Sequence, residues 1–401
     1  MAEKRDNAKT LKIDMTGATA TKSLLSGFRD HPIRANKRAV VTGLTLDDLE
    51  ETYQTIIRSR AIHYPVAYQF VRELGRGHQG TVFLCERQGA RGCITKHAIK
   101  LFDPGIYRSA EEYWTDMGRI ASQISQLHGV QSPNLVTRHS YEETYGIGYV
   151  QMEAIDGMDI RSLLNKQHLD IFRETSSEAE WKRFSETAFI IEDGKVSFRP
   201  GLVVYILRRI LRGLERLHSM NFLHCDIKPA NAMIDRLGNV KIVDFGRAVI
   251  EGEKLSFLLG APMYMAPETH LGKRVGIQSD LYSVGLLGLE MLRGEPFIDS
   301  EEMGEDELVE AKMQLPSQLS NMLPGHVKKH KHLVRTIKRL IQPYPEDRYE
   351  SALEAEVGDD GLKVVDQQLM KSSDSVEYDL EFSDYLSRLV DKKTDRIEVP
   401  E

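Results

Sequence analysis

The sequence predicts an α+β protein of two unequal lobes, a small lobe built on an antiparallel β-sheet and a larger, mainly helical lobe. Three observations predict this class. Short strand-like runs separated by Gly-rich turns begin at Tyr68. Strongly amphipathic helical stretches dominate after Gly157. The chain has 401 residues, 41% hydrophobic and 28% charged, which is enough for more than one core.

The first part of the chain predicts an arm and a helix. Residues 1–44 are rich in Ser, Thr, Ala and Lys with weak periodicity, so we expect a mobile arm. Residues 45–67 predict a helix that packs on the core, because Thr45 is a suitable N-cap and acidic residues follow it. One stripe of that helix contains Leu46, Leu49, Tyr53 and Ile57.

Residues 68–350 form the predicted core, which begins with the small lobe. Three strand-like runs, AYQFVREL, GTVFLCER and TKHAIKLF, predict an antiparallel meander. A helical stretch and two further strands, near Asn134 to His139 and Ile147 to Met152, complete five strands and one helix. The stripe of that helix contains Tyr113, Met117, Ile120, Ile124 and Leu127.

The larger lobe is predicted from its helices. The segments GLVVYILRRILRGLERLH and LYSVGLLGLEMLRG both have the pattern of buried or amphipathic helices. Residues 170–200 are polar and charged around Trp181, and we expect an inserted, solvated helix-loop excursion there. Residues 351–401 predict a C-terminal helical extension, whose last helix would contain Leu380, Phe382, Tyr385 and Leu389.

Composition and charge exclude several classes of function. A formal net charge of -7 argues against nonspecific nucleic-acid binding, which requires a basic surface. The three cysteines, Cys85, Cys93 and Cys225, lack metal-ligand spacing and predict neither a zinc site nor a disulfide framework. No apolar run of about 18 residues occurs, so we expect no membrane span and no secretory signal. A cytoplasmic protein is the simplest interpretation.

The first chemical motif is a Gly-rich turn between two predicted strands. The stretch from Leu74 to Val82 reads G-x-G-x-x-G-x-V, with Gly75, Gly77 and Gly80 at the glycine positions. Glycines let the backbone close over phosphates because no side chain blocks the approach. A dinucleotide site would place a helix after these glycines, and here a strand follows. Alone, the pattern also fits a plain Gly-rich hairpin.

The next strand and the helical lobe supply charged groups. Lys100, in His-Ala-Ile-Lys beneath the turn, would place a fixed positive charge at the α- and β-phosphates of a nucleotide. In the stretch HCDIKPAN, Asp226 would accept the substrate hydroxyl proton, Lys228 would neutralise the transferring phosphoryl, and Asn231 would hold Mg²⁺. Asp244, in Asp-Phe-Gly, offers a second metal-binding carboxylate.

Together these residues resemble the eukaryotic-like protein kinase family, Ser/Thr branch, over about residues 68–350. Ala266-Pro267-Glu268 matches the end of the family's activation segment, Asp280 matches its buried helix aspartate, and Arg348 matches the arginine that pairs with the glutamate. The resemblance implies the bilobal protein kinase fold, with ATP and Mg²⁺ in the cleft. It also implies transfer of the γ-phosphoryl of ATP to a Ser or Thr hydroxyl of a protein substrate.

The resemblance also implies an adenine site. Met152 falls at the gatekeeper position, and Glu153 to Ile155 would form the hinge whose backbone bonds the base. Leu74 belongs to the Gly-rich flap above it. Val82, Ala98 and Met233 would sandwich the base from its two faces.

Two departures from the family pattern concern regulation and substrate. Cys225 stands where kinases activated by loop phosphorylation have the arginine that receives the phosphate. We therefore expect a constitutive kinase, or one gated by a partner that binds the N-terminal arm or the C-terminal extension. Between Gly246 and Ala266 only Ser256 and Tyr264 have a hydroxyl group. Ala261 replaces a usual Thr, which weakens the Ser/Thr assignment, whereas Lys228-Pro229 favours it.

Several alternatives stay open on the sequence. The acid that should pair with Lys100 is either Glu112, which comes early, or Asp116, whose side chain is shorter. A pseudokinase would keep the fold without transfer, although Lys100, Asp226, Asn231 and Asp244 argue against it. A small-molecule phosphotransferase typically lacks the Ala-Pro-Glu segment. The chain fits both an ordinary cytosolic kinase and a bacterial effector kinase delivered into a host cell.

Overall fold

The computed structural model describes residues 43–192, 194–252, 262–272, 274–298 and 303–372, together with Tyr378, Asp384, Tyr385 and Arg388. The predicted arm lies outside these residues except for positions 43 and 44. Ser256 and Ala261 also lie outside them, as do Leu380, Phe382 and Leu389 of the predicted terminal helix.

The small lobe is an antiparallel sheet with two helices. Its elements are α1 (Leu46–Ser59), β1 (Ala61–Ile62), β2 (Tyr68–Gly77), β3 (Gly80–Gln88), β4 (Ile94–Phe102), α2 (Ala110–Leu127), β5 (Arg138–Thr144) and β6 (Ile147–Glu153). The strands pair in the order β1-β2-β3-β4-β6-β5, within the described part of the chain. The first three predicted strands, the helix after them and the strand near Ile147 to Met152 are confirmed, whereas the strand predicted near Asn134 to His139 lies later in the chain, at Arg138–Thr144. Strand β1 adds a short edge strand.

Helix α1 begins as the sequence predicts. The Thr45 hydroxyl accepts from the Asp48 amide, and the Asp48 carboxylate accepts from the Thr45 amide, which satisfies two otherwise unpaired donors. The buried stripe contains Leu49 and Tyr53 as predicted, but Ile56 replaces Ile57 in it. The Tyr53 hydroxyl lies 3.1 Å from the Thr81 hydroxyl, so the helix packs directly on strand β3.

The larger lobe is mainly helical. Its first elements are β7 (Gly157–Asp159), α3 (Ile160–Leu163), α4 (Lys166–Thr175), α5 (Glu178–Thr187), β8 (Phe189–Glu192), β9 (Lys195–Phe198), α6 (Pro200–His218), β10 (Phe222–Leu223), β11 (Ala232–Asp235), β12 (Val240–Ile242) and β13 (Val249–Ile250). The rest are α7 (Pro267–His270), α8 (Ile277–Arg293), α9 (Glu305–Met322), α10 (Gly325–Lys328), α11 (Lys331–Leu340), α12 (Ala352–Val357) and α13 (Leu362–Ser372). Helix α8 is buried from Ser279 to Leu292 and forms the axis of this lobe.

The inserted segment is a packed subdomain, so the expectation of a solvated excursion at 170–200 was wrong. Helices α4 and α5 and the β8–β9 hairpin enclose an aromatic cluster in which the Phe172 and Phe184 ring centroids lie 4.7 Å apart. Tyr385 is fully buried, and the centroid of its ring lies 4.9 Å from that of Phe172. This partner comes from the C-terminal extension, about 200 residues later in sequence, so the local sequence did not indicate it.

None of the helices in the described ranges combines the length and the apolar character that a membrane crossing requires.

Candidate active site

The sheet register places the predicted nucleotide-binding residues on one face of the small lobe. Val82 of β3 lies opposite Lys100 of β4, and Ala98 of β4 lies opposite Met152 of β6. Residues directly opposed in antiparallel strands point to the same side of a sheet, and so do residues two apart in one strand. Val82, Ala98, Lys100 and Met152 therefore share the face that looks toward Asp244, while Ile99 belongs to the core behind it.

The three glycines of the Gly-rich turn differ in their surroundings. Gly80 has φ +142°, and a Cβ there would lie 1.9 Å from the Leu101 carbonyl oxygen, so only glycine fits. A Cβ at Gly75 or Gly77 would meet no atom within 4 Å, so these positions border open space. Leu74, just before them, is exposed. We call this turn the flap.

The tip of the flap contains a residue that sequence reasoning missed. The Gln79 side-chain oxygen accepts from Lys100 Nζ at 3.0 Å, and its amide nitrogen donates to the Gly246 carbonyl at 3.4 Å. The flap is thereby tied to both sides of the cleft. The signal available in the sequence was only the position of Gln79 next to Gly80 in the glycine motif.

Lys100 pairs with Asp244 across the cleft. Its Nζ lies 2.6 Å from Asp244 Oδ1, and the lysine side chain is 9% exposed. Burial alone would raise the pKa of Asp244, but the charge and hydrogen bond of Lys100 outweigh this and lower the pKa to about 2. Asp244 also has φ +58°, an uncommon conformation for a residue with a side chain. The Gly246 amide donates to its carboxylate at 3.3 Å.

Neither predicted acid of helix α2 reaches Lys100. Glu112 accepts from the Arg108 amide at 2.9 Å, close to the start of its own helix. Asp116 accepts from the Tyr107 hydroxyl at 2.7 Å and from Arg119 Nε at 2.7 Å. Both acids are therefore engaged within their own part of the small lobe, and the choice between them has no answer in this structure.

Helix α2 contacts the Asp-Phe-Gly segment through other residues instead. Arg119 donates to the Gly246 carbonyl at 3.0 Å. Gln123, one turn later, is buried and donates to the Ala248 carbonyl at 2.6 Å. These are hydrogen bonds to backbone, which a sequence pattern does not reveal because any residue could present the carbonyl.

The catalytic-loop residues form one hydrogen-bonded cluster. Asp226 Oδ2 accepts from Lys228 Nζ at 2.8 Å and from Asn231 Nδ2 at 2.7 Å. The Asn231 amide also donates to the Asp226 carbonyl at 2.8 Å, which fixes the turn between them. Arg247 approaches the other oxygen of the Asp226 carboxylate at 3.7 Å. The three residues predicted for this loop are thus brought together.

Asp280 supports the loop from below. Cys225 has φ +61°, and the Asp280 carboxylate accepts from the His224 and Cys225 amides at 2.8 Å each. His218 Nε2 lies 2.9 Å from the same carboxylate. Burial acts to raise the pKa of Asp280, but these hydrogen bonds and the nearby imidazoles lower it overall. The predicted buried aspartate therefore stabilises the left-handed turn that orients Asp226.

His224 connects the loop to Phe245. Burial lowers the pKa of His224, so the imidazole is neutral: its Nε2 donates to the Val243 carbonyl at 3.2 Å and its Nδ1 accepts from the Asp226 amide at 3.3 Å. Phe245 packs against it with ring centroids 4.9 Å apart. Arg138, a buried residue of strand β5, has its guanidinium carbon 3.8 Å from the centroid of the Phe245 ring. Sequence reasoning did not identify Arg138.

The predicted pairing of Arg348 with Glu268 is confirmed. Arg348 Nη1 and Nη2 donate to the two carboxylate oxygens of Glu268 at 2.8 Å each, and the arginine side chain is fully buried. Two parallel bonds of this kind fix orientation as well as distance. The pair anchors the segment that ends at Glu268 to the base of the larger lobe.

Two residues predicted for the adenine site, Glu153 of the hinge and Met233 of strand β11, have different surroundings. The Glu153 amide donates to the Thr137 carbonyl at 2.9 Å, and its carboxylate accepts from Lys241 at 2.8 Å. Met233 on β11 is half-buried between Ala232 and Ile234, which point into the core. Met233 therefore lies on the other side of its strand from that core.

The oxygen ligands at the cleft fit a hard cation. Asn231 uses its amide nitrogen in bonds to Asp226, which leaves the amide oxygen as its ligand atom, and Asp244 is ionised. Among the described residues no group of three or more His, Cys, Asp or Glu side chains is assembled that could hold a metal on its own. Mg²⁺ commonly completes its coordination with water and phosphate oxygens, so two protein ligands suit it.

Comparison with known proteins places this geometry in context. The sequence matches the protein kinase domain family over residues 68–355. It is 26% identical over 271 residues to the Schizosaccharomyces pombe serine/threonine-protein kinase shk2, covering 66% of this chain and 40% of that protein. It is 28% identical over 290 residues to the Mycobacterium tuberculosis serine/threonine-protein kinase PknD, covering 71% of this chain and 38% of that protein.

The similarity to these curated relatives spans only about two fifths of their length, 40% and 38%. Among solved structures, the Mycobacterium tuberculosis PknI kinase domain matches with a TM-score of 0.49 at 20% identity, covering 75% of this chain and 95% of that one.

Proposed function

Because this chain belongs to the protein kinase domain family, we propose that it transfers the γ-phosphoryl of ATP to a Ser or Thr hydroxyl of a protein. One observation supports this most: the cluster of Asp226, Lys228 and Asn231 and the pair of Lys100 and Asp244 are assembled at one cleft. Every group needed for base, phosphate and metal is present there. The names of the curated relatives favour Ser and Thr as acceptors.

Asp226 is the proposed base. Its Oδ2 is occupied by Lys228 and Asn231, whereas Oδ1 has only the more distant Arg247 at 3.7 Å, so Oδ1 is the atom that would accept the proton of the acceptor hydroxyl. The two hydrogen bonds hold the carboxylate in one orientation, which is what a base must have before the substrate arrives. Lys228, 2.8 Å away, would stabilise the charge on the transferring phosphoryl.

Lys100, Asn231 and Asp244 would hold the nucleotide's phosphates and Mg²⁺. When bound, Mg²⁺ offsets the negative charge of the phosphate oxygens. Asn231 and Asp244 would supply its protein ligands, and Lys100, which pairs with Asp244 in this structure, would contact the α- and β-phosphates. Gln79 would then have to release Lys100, because its side-chain oxygen accepts from Lys100 Nζ at 3.0 Å.

The adenine ring would lie against the shared face of the small lobe. Val82 and Ala98 cover it from above, with Leu74 at the flap edge, and Met233 from below. At the hinge the Glu153 amide is already bonded to Thr137, so adenine would bond the Glu153 carbonyl and the Ile155 backbone. Met152 would border the back of the site.

We further propose that activity does not depend on activation-loop phosphorylation. Burial raises the pKa of the Cys225 thiol well above its usual value, so the residue in place of the family's arginine is neutral. Control by a partner that binds the N-terminal arm or the C-terminal extension remains the alternative. Cytoplasmic location and delivery into a host cell stay predictions from the sequence.

A second candidate, an ATP-binding scaffold without transfer, is favoured by one observation: among the described residues, no acid of helix α2 pairs with Lys100. The test incubates the protein with radiolabelled ATP and either a Ser/Thr peptide library or a panel of aminoglycosides and choline. The proposal expects phosphoserine or phosphothreonine in the peptides. Label only in the small molecules would identify a small-molecule phosphotransferase, and ATP binding without any transfer would identify the scaffold.

A further inference from the structure

Lys312, on helix α9, is buried with no exposed surface and makes three contacts that match its three protons. Its Nζ lies 2.5 Å from the Pro262 carbonyl, 2.7 Å from the Met265 carbonyl and 2.8 Å from His270 Nε2. An ammonium group has three donors and no acceptor. The three acceptors therefore pair with all three donors of the ammonium group. Two of them, the Pro262 and Met265 carbonyls, lie at the two ends of the Pro262–Met265 segment, which Lys312 thereby holds.

The imidazole in this set is fixed in turn. His270 Nε2 lies 2.8 Å from Lys312 Nζ and 3.1 Å from the Pro262 carbonyl. With Lys312 protonated, the shorter contact makes Nε2 an acceptor, so Nδ1 is the protonated nitrogen and donates to Glu305 Oε1 at 3.0 Å. Burial and the lysine charge lower the pKa of His270, in keeping with a neutral ring. Burial lowers the pKa of Lys312 to about 7, while Glu268 and Glu305 act in the opposite direction.

The gripped segment is held from a second side as well. The Tyr264 carbonyl accepts from the Ser283 hydroxyl at 2.7 Å, and the Tyr264 hydroxyl donates to Glu290 at 2.5 Å, both on helix α8. Pro262 itself is exposed. The segment therefore has its carbonyls and one side chain tied to helices α8 and α9 while part of it faces solvent.

The same segment lies next to the catalytic loop. Helix α3 packs against the Pro229–Asn231 turn, and the charge of Arg161 on that helix acts on both Tyr264 and Glu290. The segment and the catalytic loop thus flank the same helix. An acceptor chain that lay along Pro262–Met265 with its hydroxyl at Asp226 would be positioned by the fixed backbone of this segment.

We propose that Lys312 is a positioning residue for the protein acceptor, and that it does so by fixing the main chain of Pro262–Met265 as part of the acceptor's binding surface. The inference rests on the proposed function, since it concerns the acceptor of that reaction. Stability alone gives little reason for a lysine here: burying an ammonium is costly, and an apolar side chain of similar length is often as stable or more so. We therefore attribute the presence of a lysine at position 312 to the three acceptor atoms that its ammonium group holds in place.

The test compares Lys312→Met with wild type. Methionine keeps the length and apolar volume and removes all three donors. The acceptor is a His-free Ser peptide selected from a library by the wild-type protein, and the readouts are KM for peptide, KM for ATP and the rate of ATP hydrolysis by water. Lys195→Met is the matched control, because Lys195, on the inserted β8–β9 hairpin, forms an exposed ion pair with Glu295.

Lys312→Met is expected to raise the peptide KM by about tenfold, with ATP KM and ATP hydrolysis within about twofold of wild type. An unchanged peptide KM, or an equal fall in peptide transfer and ATP hydrolysis, would overturn the role. If the Met variant does not fold, His270→Phe decides, since it removes one of the three acceptors of Lys312 together with the hydrogen bond to Glu305. A rise of about threefold in peptide KM supports the role and no rise contradicts it. Failure of wild type to label any peptide would instead defeat the proposed function.

Discussion

Lys100 forms its ion pair with Asp244, with 2.6 Å between Nζ and Oδ1, and not with an acid of helix α2. Two groups proposed for phosphate and metal thus neutralise each other across the cleft. A bound nucleotide would separate them, because phosphates compete for Lys100 and Mg²⁺ competes for Asp244. The cost of that separation is part of the cost of binding ATP.

Replacing Lys100 by Met should abolish most transfer. The variant removes a buried charge at the cleft and leaves Asp244 without its cation, so we expect kcat/KM to fall by about a hundredfold or more. Steady-state kinetics with varied ATP measure this. Lys96→Met, an exposed lysine on the same strand, is the control and should stay within about twofold. Comparable activity of the two variants would remove Lys100 from the mechanism.

Replacing Gln79 by Ala should tighten ATP binding. Its amide bonds Lys100 and Gly246 in the nucleotide-free cleft, and these bonds must break before phosphates enter. One or two net hydrogen bonds correspond to about a threefold to tenfold lower Kd. Titration calorimetry with Mg·ATP is the measurement, and His78→Ala, the exposed neighbour, is the control. Weaker binding by Gln79→Ala would mean that the glutamine assists the nucleotide instead.

The parts of the site that were predictable are those encoded by short spacing. Asp226, Lys228 and Asn231 lie within one turn, so their order in the sequence already implies their contact. The pair of Arg348 and Glu268 was also predicted, because both lie in recognisable motifs.

The parts that were not predictable depend on contacts between distant elements. Arg119 and Gln123 donate to the backbone carbonyls of Gly246 and Ala248, at and just after the Asp-Phe-Gly segment. Every residue has such a carbonyl, so the residue types do not indicate these contacts. Tyr385 fills the aromatic cluster of the insertion from far along the chain, so the local pattern looked merely polar. Long-range packing decided these positions, and local propensity did not.

Glu268→Gln should destabilise the fold strongly. It leaves the fully buried Arg348 without its anionic partner, and removing one partner of a buried pair costs about 3 to 5 kcal/mol. Urea unfolding followed by circular dichroism measures the change. The control is Asp170→Asn, which breaks an exposed pair with Lys166 and should cost less than about 0.5 kcal/mol. Equal losses in the two variants would show that the buried pair is not an anchor.

Ser256→Ala should leave activity within about twofold of wild type, because the neutral Cys225 supplies no charge to receive a phosphate on this segment. The comparison is made on protein treated with a phosphatase and on untreated protein, with the same peptide. A large loss in the variant, together with activity that rises with phosphate on Ser256, would instead establish control by loop phosphorylation.

The most direct test of the proposed base is Asp226→Asn. The change keeps the size and most hydrogen-bonding positions of the side chain but removes the proton acceptor, so the structure and ATP affinity should persist. We expect incorporation of the radiolabelled γ-phosphoryl into a protein acceptor to fall by a factor of about 10² to 10⁴, with the Kd for Mg·ATP within about twofold of wild type. Incorporation equal to that of wild type would contradict a catalytic role for Asp226.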